Sequence, residues 1–182
     1  LTIIQALYGN GAVFPGSPSL FKVQAAITEP SRRLEMLPAI SVTDPKPGCY
    51  TFDLGQNMVG WVRLNISGSV GDRITVRHGE VLNPDGTIYT DNLRGANAAD
   101  FYTFGTNGTV VFEPRFTFHG FRYVEVRGLT VPPTLSSVTG IVVNSDMPRT
   151  GTFACSSPLV NQLYSNIIWG QKGNFLEVPT DC

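Results

Sequence analysis

The sequence predicts a mostly-β protein, an antiparallel β-sandwich followed by one helix, and three observations carry that expectation. Between about Ala39 and Thr152, short stretches of alternating apolar and polar residues recur, separated by turn chemistry. No helical period interrupts them. After Ser156 the period switches, with Leu159, Leu163 and Ile167 at i, i+4 spacing. Short strands with regular turns are best satisfied by two sheets that bury their inner faces against each other.

The elements follow in order. Residues 1–39 read as an extended lead-in from a preceding domain, because "YGNGAVFPGSPS" is rich in Gly, Pro and Ser. Residues 40–152 read as the sandwich. In "VGWVRLNIS", Val62, Leu64 and Ile66 share one face and Arg63 and Asn65 the other; in "DRITVRHGEVL", Ile74 and Val76 oppose Arg73, Thr75 and Arg77. "SGSVGD" and "NPDGT" are turns, the second with Pro84 pre-set for a bend and Gly86 free to take positive φ. "DFYTF", "RFTFHGFRYVEVRG" and "SSVTGIVVN" continue the pattern, and Asn107-Gly108 is a hairpin signal. Residues 153–182 open a helical domain. There Ser156-Ser157-Pro158 supplies a hydroxyl cap and a first-turn proline, and Val160 and Tyr164 widen the apolar stripe. One helix beside a sandwich has little of its own to pack on, so its partners are expected elsewhere.

Composition excludes several classes. Of the 182 residues 42% are hydrophobic and 15% charged, which suits a packed core rather than a disordered chain. With 13 basic and 14 acidic residues, the charge of -1 gives no basis for binding nucleic acid. No apolar run nears the roughly 20 residues of a membrane span, so no membrane partner is expected. Cys49, Cys155 and Cys182 form no zinc pattern; Cys49 and Cys155 either pair or are free thiols, and a buried free thiol is the simpler reading. The sequons at Asn65 and Asn107 lean towards an extracellular, secreted location. Neither end carries the marks of a terminus. The chain opens "LTIIQALYGN" without Met or signal pattern and closes "NFLEVPTDC", apolar up to Val178 and bent at Pro179, as a fragment of a longer protein would.

Candidate chemistry is sparse. Glycoside cleavage needs two facing carboxyl groups, and Asp53, Glu80, Asp85, Asp91, Asp100, Glu113 and Glu125 are available. Asx-turns and solvated strand faces account for these acids, so no catalytic residue is assigned among them. His78 and His119 lie in separate strands with no third ligand at metal spacing, and "NPDGT" lacks the alternating acids of a calcium loop. No metal and no cofactor is expected. Trp61, Tyr89, Phe101, Tyr102, Phe118, Phe121 and Tyr123 offer either sugar platforms or core.

The stretches "YTFDLGQNMVGWVRLNISG", "RHGEVLNPDGTIYTDNLR", "FTFHGFRYVEVRG" and "GTFACSSPLVNQLYSNIIWGQKGNFLEVPTDC" occur in that order, and together they resemble the bacterial and fungal α-L-rhamnosidases of glycoside hydrolase family 78. The resemblance covers nearly everything from Ile40 onward. It implies a jelly-roll or concanavalin-like sandwich beside an (α/α)6 barrel, in an inverting enzyme that removes terminal α-L-rhamnose from glycosides or polysaccharides. The helix from Ser157 resembles the barrel's first segment. "VPTDC" resembles the start of its active-site segment, which implies that Asp181 contacts the rhamnose hydroxyls. The general acid and general base of the family fall outside this chain. As a penultimate residue, Asp181 is expected to be neither positioned nor desolvated, and the chain by itself is expected to be inactive.

Two roles follow from the resemblance. In the first, the sandwich is an accessory domain packing on the remaining catalytic barrel. In the second, it is a carbohydrate-binding module for rhamnose-containing glycans, for which Trp61, Tyr89 and Tyr102 would have to be exposed on one face. The bare stripe of the helix would in either case make either a homodimer through the C-terminal helix or fraying of that helix the expected outcome for the isolated chain.

Overall fold

The computed structural model describes residues 28–181. Eight strands form one antiparallel sheet: β1 (Ser31–Pro38), β2 (Ser41–Lys46), β3 (Cys49–Gly68), β4 (Arg73–Gly79), β5 (Ala99–Thr103), β6 (Gly108–Phe112), β7 (His119–Arg127) and β8 (Val138–Ser145). The helix α1 (Pro158–Asn174) follows, and then a two-stranded ribbon of β9 (Phe175–Leu176) and β10 (Val178–Pro179). The main strand order is β1-β8-β3-β7-β4-β5, with β2 and β6 also paired to β3. Part of the stretch read as lead-in is therefore sheet, since Ser31 pairs with Ser145 and Pro38 with Thr139. The remainder of that reading, residues 1–27, lies outside the described residues.

The sandwich is wound from a single sheet, and β3 makes this possible. Its first residues, Cys49–Asp53, lie between β2 and β7; Gly60–Leu64 pair with β8, and Leu64–Gly68 with β6. Between these regions the register with β7 shifts from Asp53 to Met58. Such an irregularity bends a strand and lets it serve both layers.

The alternation seen in the sequence sets the core. Val62, Leu64, Ile66, Ile74 and Val76 are all buried, together with Phe52, Phe104, Phe121, Val124 and Val126. "NPDGT" is the expected turn. Gly86 takes φ +81°, and Asp85 accepts hydrogen bonds from the Thr87 amide at 3.1 Å and hydroxyl at 2.6 Å. Asn107-Gly108 departs from expectation. It joins β5 and β6, which pair with β4 and β3 respectively and not with each other. Asn107 instead accepts a hydrogen bond from the Val70 amide at 2.9 Å, linking this connection to the β3–β4 turn.

Helix α1 begins at Pro158 as its sequence requires, but the capping differs in detail. The Ser157 side chain makes no cap hydrogen bond. Asn161 of the first turn instead ties down the segment that leads into the helix, accepting from the Cys155 amide at 2.9 Å and donating to the Cys155 carbonyl at 2.8 Å. Asn161→Ala is expected to cost about 1 kcal/mol and to raise exchange of the Cys155 amide; unchanged exchange there would contradict the tie. The helix meets the sheet through Trp169, which packs on the core, and Lys172, which pairs with Glu35 and lies 4.3 Å over the Trp169 ring. Its stripe points elsewhere: Leu159 is 83%, Leu163 57% and Ile167 56% exposed. Among the described residues Cys49 is a buried free thiol and Cys155 an exposed one.

Candidate functional site

The C-terminal residues are held in a defined turn by the last residue of α1. Its Asn174 Oδ1 accepts hydrogen bonds from the Thr180 amide at 3.0 Å and the Asp181 amide at 2.7 Å, while Nδ2 donates to the Asp181 carbonyl at 3.1 Å. The Asn174 main-chain oxygen also accepts from the Thr180 amide at 2.8 Å and hydroxyl at 3.1 Å. The ribbon β9–β10 reverses at Glu177, a non-glycine residue at φ +70°. The cost of that conformation is offset by a hydrogen bond from the Glu177 amide to Ser145 Oγ of β8, at 2.7 Å. The backbone of Asp181 is thus clamped on both sides. Asp181 is exposed.

A second cluster lies inside the sheet. His78 of β4 and His119 of β7, read from sequence as separate, stack with ring centroids 4.0 Å apart and an angle of 17° between their planes. Asp100 of β5 is the third member that the sequence reading missed, with Oδ1 3.1 Å from His119 Nε2 and Oδ2 3.9 Å from His78 Nε2. No spacing rule could reveal it, because the register of β4 with β5 and β7 brings the three together. His78 Nδ1 lies 2.9 Å from the Ala98 carbonyl and so carries the hydrogen, leaving Nε2 without a hydrogen-bond partner. A divalent ion at about 2.0–2.1 Å needs two imidazole lone pairs to converge. In nearly parallel stacked rings they run side by side, so the cluster is hydrogen-bonded packing.

Burial, followed by the charge of His119, pushes His78 down to about 4, against the smaller opposing effects of the Ala98 carbonyl and Asp100. A histidine with a depressed folded pKa stabilises the fold fully above its unfolded value of about 6.5. That contribution is lost as pH falls from there towards about 4. Thermal melts are expected to drop through this window, and His78→Asn to flatten the drop; an equal slope in the variant would refute the assignment.

Most of the acids weighed from sequence have partners. Asp53 receives Arg122 Nε and Nη2, each at 2.8 Å, and the hydrogen bond from Arg122 is the chief reason its carboxyl is held below the usual range. Glu113 accepts from Trp61 Nε1 at 2.9 Å and Arg63 Nε at 2.5 Å. Glu80 receives Asn57 Nδ2 at 2.9 Å, and Asp85 closes its turn. Glu125 is fully buried between Arg77 at 3.0 Å and Arg127 at 2.8 Å. Burial alone would raise its pKa; the hydrogen bond from Arg127, then the Cys49 thiol and both arginine charges, reverse that, and the thiol itself is pushed up by burial and by Glu125.

The aromatic residues do not form one platform. Trp61 lines an open groove of about 940 Å3 with Arg33, Glu113 and Arg115, but its indole N–H is committed to Glu113. Tyr102 packs against Phe104 and Phe112 at the core, with ring centroids 5.1 and 4.7 Å away. Tyr89 lies in the β4–β5 connection.

A wound β-sandwich is tied by Trp169 and Lys172 to a helix with a bare apolar stripe. The chain belongs to the bacterial α-L-rhamnosidase family: residues 43–144 match its concanavalin-like domain, and residues 148–182 match its 6 hairpin glycosidase domain. An α-L-rhamnosidase of Streptomyces avermitilis is 56% identical over 160 residues, which is 88% of this chain and 16% of that protein. One from Formosa agariphila is 48% identical over 139 residues, covering 75% of this chain and 15% of the relative. Among solved structures, the Streptomyces avermitilis enzyme complexed with L-rhamnose superposes with a TM-score of 0.84 at 57% identity, over 86% of this chain and 15% of that one. The α-L-rhamnosidase from Dictyoglumus thermophilum superposes with a TM-score of 0.87 at 39% identity, over 92% and 19%. The chain therefore spans less than a fifth of the length of these relatives.

Proposed function

We propose that this chain is the accessory sandwich and the opening of the catalytic domain of an inverting α-L-rhamnosidase, which hydrolyses terminal α-L-rhamnose from glycosides or polysaccharides. The division falls at about residues 152 and 153. The observation that carries this reading is the order of the two family matches, sandwich first and glycosidase domain second, within one chain. In this reading Asp181 accepts hydrogen bonds from the sugar, and the acid and base that cleave the bond lie beyond Cys182. The sandwich serves as a scaffold on which the rest of the helical domain packs. The alternative role as a carbohydrate-binding module is disfavoured by the separation of Trp61 and Tyr102.

A chain extended past Cys182 into a complete helical domain is expected to hydrolyse an aryl α-L-rhamnoside. An extended, folded protein without that activity would refute the reading. The bare stripe supplies a second test on the 182-residue chain. Burying Leu159, Leu163 and Ile167 is worth roughly 1.5–3 kcal/mol each, so self-association through α1 is expected, and Leu163→Glu should abolish it in sedimentation velocity. A strictly monomeric chain at high concentration would refute the dimer.

A further inference from the structure

We propose that Asn174, with Ser145 of the sheet behind it, is a positioning residue for Asp181. The inference rests on the reading of Asp181 as a sugar contact and adds the device that aims it. Three hydrogen bonds connect the Asn174 side chain to the backbone of Thr180 and Asp181, at 3.0, 2.7 and 3.1 Å. They fix the amide and the carbonyl of Asp181, and with them the direction in which its Cα–Cβ bond points. An exposed carboxylate on a free turn samples many positions, whereas one with both flanking peptide groups pinned varies only through its own χ1 and χ2. Pre-orientation of this kind is what substrate-positioning residues supply, and a misplacement of about 1 Å can cost about 100-fold in rate.

The clamp does not stand alone. Between Asn174 and Asp181 the chain must reverse, and it does so at Glu177 with φ +70°. That residue is held by the Ser145 hydroxyl, at 2.7 Å from its amide, and Ser145 is itself buried at the end of β8. Ser145 is thus the point at which the sandwich touches the turn that carries Asp181. On this view the accessory domain contributes to catalysis through one hydroxyl, besides its packing on the helix.

The experiment is a double-mutant cycle in the enzyme extended past Cys182, with Asp181→Ala, Asn174→Ala and the pair, read as kcat/KM on an aryl α-L-rhamnoside and as Kd for L-rhamnose. Asn174→Ala is expected to lower kcat/KM by about 10- to 100-fold and to weaken L-rhamnose, and to add little to Asp181→Ala, because the clamp acts through that carboxylate. Asn174→Asp keeps the two acceptor contacts and should restore part of the loss. Ser145→Ala should cost about tenfold with the same dependence on Asp181, and it replaces Asn174→Ala in the cycle if that variant does not fold. If Asp181→Ala impairs binding while Asn174→Ala and Ser145→Ala leave kcat/KM per folded molecule unchanged, the positioning role is refuted and the sugar contact stands. Effects that multiply independently refute it as well. If Asp181→Ala itself changes nothing, the underlying contact is wrong and the positioning role falls with it.

Discussion

Asp181→Ala, placed in an enzyme that continues past Cys182, is expected to weaken L-rhamnose and lower kcat/KM by about 10- to 100-fold while leaving the thermal midpoint unchanged. Hydrogen bonds to a charged group contribute about 1.5–3 kcal/mol each, and about 1.4 kcal/mol corresponds to a factor of ten. The clamp from Asn174 reaches the backbone of residue 181 and not its side chain, so the turn should survive the substitution. The 182-residue chain without the extension is expected to show no hydrolysis, since inversion requires two carboxyl groups about 6.5–9.5 Å apart with a water between them. Cleavage by the short chain that persists in Asp181→Ala would move the chemistry into the sandwich, and Glu80, exposed near the helix, would become the first acid to test.

Gly60→Ala is expected to be among the most damaging single substitutions in the sheet, at about 3 kcal/mol or more. Gly60 pairs with His119 of β7 on one side and Val142 of β8 on the other. A Cβ built there would lie 1.9 Å from the Ile141 carbonyl oxygen, and the backbone sits at φ +154°. The clash is with main chain on the central pairing and cannot be relieved by turning a side chain. For a chain of this size the melting temperature should fall by roughly 6–12 °C. A fall of less than 2 °C would mean that β3 and β8 can separate locally without loss of the core.

How far these features were readable in the sequence depends on whether their cause is local. Alternation is local, and Val62, Leu64, Ile66, Ile74 and Val76 were assigned to the interior face where they are found. The switch of period at Leu159 and the proline at 158 located the start of α1 for the same reason. The continuity of β3 was hidden, because the alternation in "VGWVRLNIS" marks only part of what is one strand of 20 residues that bends at its register shift with β7. Asn107-Gly108 carried the chemistry of a hairpin, yet the partners of β5 and β6 are decided by distant strands. Asp100 joined the histidines through register alone. In the candidate site, Asp181 was reached through resemblance, whereas Asn174 and Ser145 were missed. An asparagine at a helix end, seven positions before an Asp, is a weak local signal of side-chain capping, and Ser145 has no signal at all.

The sharing of β3 between both layers has a consequence for how this protein comes to be folded. Its partners are supplied by chain from residue 41 to residue 145, so the strand cannot be completed by neighbours in sequence. Such non-local pairing makes for slow folding, because loops must close before their contacts contribute. During synthesis, the segments up to β7 would leave Gly60–Leu64 of β3 without β8, an incompletely paired apolar edge of the kind that invites aggregation. Only when Ser145 has emerged can the sheet close. The next residues to be made are α1 and the turn that Ser145 anchors, so the order of synthesis delivers the helix to a sandwich that has just become able to receive it.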